Sequence, residues 1–235
     1  MENKFMRVEE VAEVLEVSTS FAYKVIRQLN DELKAKGFIT IAGRINREYK
    51  KFADEMMDKP VSYYAFEVLY WCGIREGELL ALTPADFDFV KGTLTINKSY
   101  QRLKGRDVIT TPKTKKSNRT IKMPQFLCEE MQDYLGMLYG VGKKDRIFNI
   151  SKHYLSREME RGSKAAGVKR IRIHDLRHSH ISLLIDMGFS AVAIADRVGH
   201  ESIEITYRYA HLFPSKQVEM AKKLDYERMD ITNVC

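Results

Sequence analysis

Apolar residues recur at helical spacing over most of the chain, and the places where that period fails mark its organisation. Near the start, Val8, Val11, Ala12 and Leu15 share a helix face; "EVSTS" then breaks the pattern, with Ser18 placed to cap a second helix. There Ala22, Ile26, Leu29 and Leu33 form the apolar stripe, and Gly37 ends it. "FITIAGRINREY" follows as two short strands around Gly43. From Lys59 the character changes. Ser62 is placed to cap a helix that turns Phe66, Leu69 and Tyr70 inward and ends at Gly73, and "EGELLAL" is a short helix stopped before Pro84. "TLTINKSY", "DVITTPK" and "RTIKMP" alternate polar and apolar residues around turns at "KGRD" and "TKKSN", which predicts one antiparallel sheet of three strands. The remainder reads as helices: Gln125 to Tyr139, Ser151 to Ala166, "IHDLRHSHISLLIDMG", "SAVAIADRVG", the stretch "GHESIEITYRYAHL", and a last helix after Pro214. The expected class is mostly α with a small antiparallel sheet, an α+β fold. Two units are expected, a helix-turn-helix unit over 1–50 and a larger domain over 59–235, joined almost directly by Glu48 to Lys59.

A length of 235 residues suits one large domain or two small ones. Lys and Arg number 39 against 32 Asp and Glu, and the resulting net charge of +7 favours a polyanionic partner without requiring one. Cys72, Cys128 and Cys235 stand at unrelated spacings with no CxxC pair. They argue against a disulfide framework and a zinc site, and they fit a reducing cytosol. "MENKFMRVEE" is charged throughout, so no signal peptide is expected, and no apolar run approaches the ~18 residues of a membrane span. A cytoplasmic protein is the expectation.

A helix, a tight turn and a second helix with a polar, basic face make the helix-turn-helix arrangement. Opposite its apolar stripe that helix carries Ser20, Tyr23, Lys24 and Arg27, candidates for contacts in a DNA major groove. A helical hairpin with a solvated face has the same pattern. The core "EVAEVLEVSTSFAYKVIRQLN" resembles the small helix-turn-helix proteins related to excisionases.

Three short stretches in the larger unit carry chemistry. "GIREGELLAL" puts Arg75 at a helix start, "HDLRHSH" puts His174 and Arg177 three apart on one helix face, and "RVGH" puts His200 after Gly199 at a helix junction. Each alone is an ordinary surface charge or packed histidine; the combination is not. Glu78, one turn after Arg75, either orients it or is an exposed helix charge. Tyr207 and Tyr209 are two apart, so on a helix they point to nearly opposite sides and cannot share a role. His178, His180 and His211 do not make a metal site: "HDLRHSH" lacks the Glu of a zinc-protease helix, and no metal is expected.

From about Lys59 to Leu224 the chain resembles the catalytic domain of the tyrosine recombinases, particularly the integrases of conjugative transposons and temperate phages. "GIREGEL" matches the family's first arginine and so Arg75; "HxxR" matches His174 and Arg177; "GH" matches His200. The interval from His200 and the "YAHL" context match Tyr209 to the nucleophile, which leaves Tyr207 as a packing or phosphate-contact residue. "TPKTKKSNRTI" puts Lys113 where the family has a hairpin lysine. The resemblance implies a recombinase that cuts and rejoins duplex DNA at attachment sites through a 3′-phosphotyrosyl link. Such an enzyme is expected to work in the bacterial cytoplasm as a homo-oligomer, a tetramer, on DNA, with no cofactor and no membrane.

Those residue types suit that chemistry. Two guanidiniums can hold the nonbridging oxygens of an anionic phosphodiester as it gains charge. A phenol of pKa about 10 needs a base, the role of His174, while His200 hydrogen-bonds the phosphate. Lys113 is the acid for the leaving 5′-oxygen if neighbouring cations lower its pKa. On the same likeness, the helical core-binding domain that precedes the catalytic domain in most such integrases is expected to be missing. The alternatives are therefore a DNA-binding regulator or accessory factor at attachment sites with impaired strand exchange, and a type IB topoisomerase-like enzyme. The helix from Ser215 to Leu224 is expected to dock on a neighbouring subunit or on its own domain.

Overall fold

The sequence "PVSYYAFEVLYWC" forms the central helix of the molecule, and almost every face of it is covered. A computed structural model describes Ser18, residues 47–112 and residues 114–207. In it α1 (Arg47–Asp54) packs on α2 (Pro60–Cys72): Tyr49 stacks on Tyr70 with ring centroids 3.6 Å apart, and Phe52 meets Phe66 edge-on. Buried polar groups on α2 are paired. Glu67 accepts from Tyr49 Oη and Trp71 Nε1, both at 2.9 Å, and Ser62 meets Tyr154 Oη and Glu158. Ser62 is therefore not the cap expected from sequence. Pro60 takes the first helical turn, where its missing N–H costs nothing, and Ser62 lies inside the helix, fully buried. The segment read as a joint between units, Glu48 to Lys59, contributes Tyr49, Phe52, Ala53 and Met56 to the main core.

Gly73, at φ +62°, ends α2 in the left-handed conformation, and the short α3 (Glu76–Leu79) follows. The expected three-stranded sheet is instead two antiparallel sheets. One has β1 (Phe87–Asp88), β2 (Thr93–Ile96) and β5 (Arg119–Lys122) in the order β1-β2-β5, with Leu94 opposite Ile121 and Ile96 opposite Arg119. The other is the hairpin of β3 (Ser99–Leu103) and β4 (Arg106–Thr110). Its Lys104-Gly105 turn has positive φ at both residues, the hairpin geometry that matches strand twist. "TLTINKSY" splits because Lys98 leaves the strand path to pair with the buried Asp86, at 2.6 Å to Oδ1. Leu94, Ile96 and Ile121 supply the buried side of the first sheet.

Four helices and a short fifth follow among the described residues: α4 (Gln125–Met137), α5 (Lys152–Ala165), α6 (Ile173–Asp186), α7 (Ala191–Val198) and α8 (Ile203–Tyr207). Ser151 and Ser190 cap α5 and α7 by accepting from Tyr154 N and Ala193 N. Helices α6 and α7 close on each other over a small second core of Ile181, Ile185, Ile194 and Val198. The class is mostly α with small antiparallel sheets, as the sequence implies. Among the described residues, no helix is long and apolar enough to cross a membrane.

Candidate active site

Arg75 stands two residues after the left-handed turn at Gly73, in extended conformation, as the N-cap of α3. Its backbone N–H donates to Glu78 Oε2 and its Nη1 to Glu78 Oε1, both at 2.9 Å, a carboxylate at N3 reaching back over the first turn. Glu78 is 3% exposed, and on its other side it accepts from Arg119 Nη1 at 3.2 Å and Nη2 at 3.0 Å. Burial alone would raise the carboxyl's pKa. The hydrogen bonds and charge of Arg119, joined by those of Arg75, outweigh it and hold the group below the usual carboxylate range.

Arg177 reaches the same place from α6. Its side chain is buried, with Nη1 donating to Gly73 O at 2.7 Å and Nη2 to Val198 O at 2.6 Å, so it ties the end of α2 to the end of α7. Gly199, at φ +69°, then reverses the chain, and its carbonyl accepts from Arg75 Nη2 at 3.3 Å. The next residue is His200. Its backbone N–H donates to Ala195 O, and its Nδ1 lies 2.8 Å from Thr206 Oγ1. Burial first, then the charges of Arg177, Arg75 and Arg119, push the His200 ring down to about 4, so it is neutral at pH 7. Where the Thr206 hydroxyl is the donor in this bond, the ring proton sits on Nε2. His174, exposed near the start of α6, is also held below the ordinary imidazole value. Loss of hydration on its packed side is the main cause, followed by His178, whose ring it meets edge-on at 4.8 Å, and by Arg177 and Arg75. Beside it opens a cleft of about 710 Å³ lined by Glu76, Lys152, His153, Arg170, Arg172 and His174.

The core and this site fall within residues 43–216, and that span matches the phage integrase family. The chain belongs to the phage integrase family. It is 35% identical over 195 residues to the ICEBs1 integrase of Bacillus subtilis, a match covering 76% of this chain and 52% of that protein. It is 32% identical over 179 residues to the integrase of Staphylococcus phage L54a, covering 68% and 51%. The chain thus spans about half the length of these curated relatives. The fold is that of solved tyrosine recombinases. The Tn1549 transposon integrase in complex with circular intermediate DNA superposes at a TM-score of 0.63 and 18% identity, over 94% of this chain and 84% of that one. The catalytic domain of bacteriophage HP1 integrase gives 0.54 and 22%, over 78% and 95%.

Of the residues singled out in the sequence of this phage integrase family member, Arg75, Arg177 and His200 converge on the Gly73 and Gly199 turns, and His174 lies one helical turn from Arg177. Glu78 is the buried partner of Arg75 and not an exposed charge. Lys113 and Tyr209 lie outside the described residues, as do Ser20, Tyr23, Lys24 and Arg27. Tyr207 ends α8 with 53% of its surface exposed. His180 is a packing residue: burial, then the charge of Arg197, pushes it to about 3, and its Nε2 accepts from Arg197 Nε at 3.1 Å. Among the described residues, no three His, Cys, Asp or Glu side chains converge as a metal-ligand set. Sequence reasoning missed Arg119, Arg197 and Thr206. Their partners are distant in the chain or hidden in a short helix, and no local motif marks them.

Proposed function

We propose that this chain is a site-specific DNA recombinase of a mobile genetic element, an integrase that cuts and rejoins duplex DNA at attachment sites. The observation that carries this reading is the meeting of Arg75 and Arg177 on the turn that presents His200, through bonds spanning 124 and 21 residues. Arg75, with 39% of its side chain exposed, is the cation a phosphodiester reaches first. Arg177 adds positive charge from beneath, and neutral His200 donates from Nε2 to a phosphate oxygen. Tyr209 attacks phosphorus while His174, its imidazole held below the ordinary value by its packing and by His178, takes the phenolic proton. The tyrosyl O–P bond forms as the P–O5′ bond breaks, and Lys113 gives a proton to the leaving oxygen. The covalent link conserves the ester, so the 5′-hydroxyl of a partner strand can reverse the step. A homotetramer on paired sites, and a second DNA contact through Ser20, Tyr23, Lys24 and Arg27, belong to the same proposal. The name of the ICEBs1 integrase and the DNA held by the Tn1549 integrase support it.

The test is covalent capture on a pool of duplexes nicked beside the scissile phosphate. Wild type and Tyr207→Phe should both form an adduct that survives denaturation and EDTA, while Tyr209→Phe should bind the duplex and form none. Adducts from Tyr209→Phe but not Tyr207→Phe would reverse the tyrosine assignment. Binding without any adduct would replace the enzyme with an accessory factor, and failure to ligate the captured strand to a second duplex would leave only a relaxing activity.

A further inference from the structure

A third arginine organises the site without being one of its recognised groups. Arg119 opens β5, and its side chain is only 6% exposed. Nη1 and Nη2 form a two-pronged bond to Glu78, Nε donates to Arg197 O at 3.0 Å, and Nη1 also reaches Ser117 O at 3.1 Å. Each partner leads to a different part of the site. Glu78 holds Arg75; Arg197 is in the last turn of α7, two residues before the Gly199 reversal; and Ser117 belongs to the loop between Lys113 and β5. The guanidinium also packs against the reversal itself. A Cβ on Gly199 would stand 2.9 Å from Arg119 Cδ and Nη1, and 2.9 Å from Lys116 O.

We infer that Arg119 is a positioning residue, which holds Arg75 and the His200 turn in register with one another through Glu78 and the Arg197 carbonyl. The inference rests on the recombinase reading for its kinetic consequences only. Arginine suits the post because a planar fork spans two carboxylate oxygens while its Nε–H points to a third acceptor; the point charge of a lysine does not. Without it Glu78 keeps one cation in place of two, Arg75 gains freedom at its terminal nitrogens, and the α7 end loses a side-chain anchor.

Arg119→Met in the full chain should lower single-turnover cleavage of the nicked duplex by about a hundredfold, the scale of losing one preorganised donor, with duplex affinity nearly unchanged. Arg119→Lys should recover part of the rate, since it returns the charge without the fork. The decisive comparison is the double mutant. If Arg119 acts through Arg75 as well as the His200 turn, Arg119→Met should cost clearly less in an Arg75→Ala background than in the wild type; losses that multiply in full would overturn the inference. Side-chain NMR of the same proteins reads the geometry without activity. The Arg75 Nε–H and His200 ring signals should shift and broaden in Arg119→Met, and to a smaller extent in Arg119→Lys, which lacks the fork. If both signals stay in place, Arg119 is not a positioning residue, whatever the wild type does to DNA. If they move but the wild type never forms an adduct, the recombinase reading fails and the positioning role stands.

Discussion

Thr206 has no exposed surface, and its hydroxyl sits 2.8 Å from the inner nitrogen of His200. A buried histidine with one hydroxyl partner has its tautomer set by that partner. Thr206→Val keeps the shape and removes the donor. It should slow single-turnover cleavage about tenfold, the scale of one neutral hydrogen bond, whereas Thr206→Ser should cleave normally. The two arginines should separate by their burial. Arg75→Ala should lower cleavage by several orders of magnitude with little change in melting temperature. Arg177→Ala should also destabilise the fold, because it leaves the Gly73 and Val198 carbonyls unpaired, at about 1–3 kcal/mol each. Denaturation curves of the two variants check this, and equal stability would count against the buried role. At this scale the sequence was legible wherever the candidate site is written in a local motif. Arg75, His174, Arg177 and His200 each sit in a short motif. Arg119 does not: it faces Ile96 across a strand pair, reads as an ordinary polar strand residue, and finds Glu78 41 positions away.

The helix ends hold the site more than the helix bodies do. Gly73 and Gly199 both adopt left-handed backbone, and both carbonyls accept from arginines of the candidate site. Gly199→Ala should therefore do two kinds of damage. Its backbone would be strained by about 1–2 kcal/mol, and its methyl would press on Arg119 and the Lys116 carbonyl. Cleavage should fall further than that strain explains, with stability from urea unfolding as the control; a loss no larger than the strain would place the turn outside the chemistry. These ends were legible, since glycine at the close of an apolar period is a strong signal. The sheets were less so. Alternation found strand residues, but it could not show that Lys98 would turn aside to Asp86 and divide one run into two sheets. Nor could a serine before an apolar stripe reveal that Pro60 had already started the helix.

Taken whole, the described fold keeps its two buried imidazoles uncharged at neutral pH. His180 at about 3 and His200 at about 4 both lie below the unfolded value of about 6.5. The unfolded chain therefore binds more protons between these values. The stabilisation is complete above about pH 6.5, and it is lost as pH falls toward the folded values. Each ring should contribute a slope of about 1.4 kcal/mol per pH unit in that window, and Glu78, with its lowered pKa, acts in the same direction at lower pH. Urea unfolding from pH 7.5 to 5 should show a falling midpoint, and a flat profile would contradict the burial of these rings.

Helix α1 has one more consequence, for how such proteins exchange parts. Residues 47–56 occupy the stretch where a seam between two modules is expected, yet Met56 and Phe52 fill the space left by Gly162 on α5, where even a methyl group would collide with them. This helix is a built-in wall of the described fold and not a tether. A crossover that replaces the sequence before it, whether in nature or in a chimera, must fall before Arg47. One placed at Lys59 would import a foreign wall into a groove already cut to fit Phe52 and Met56.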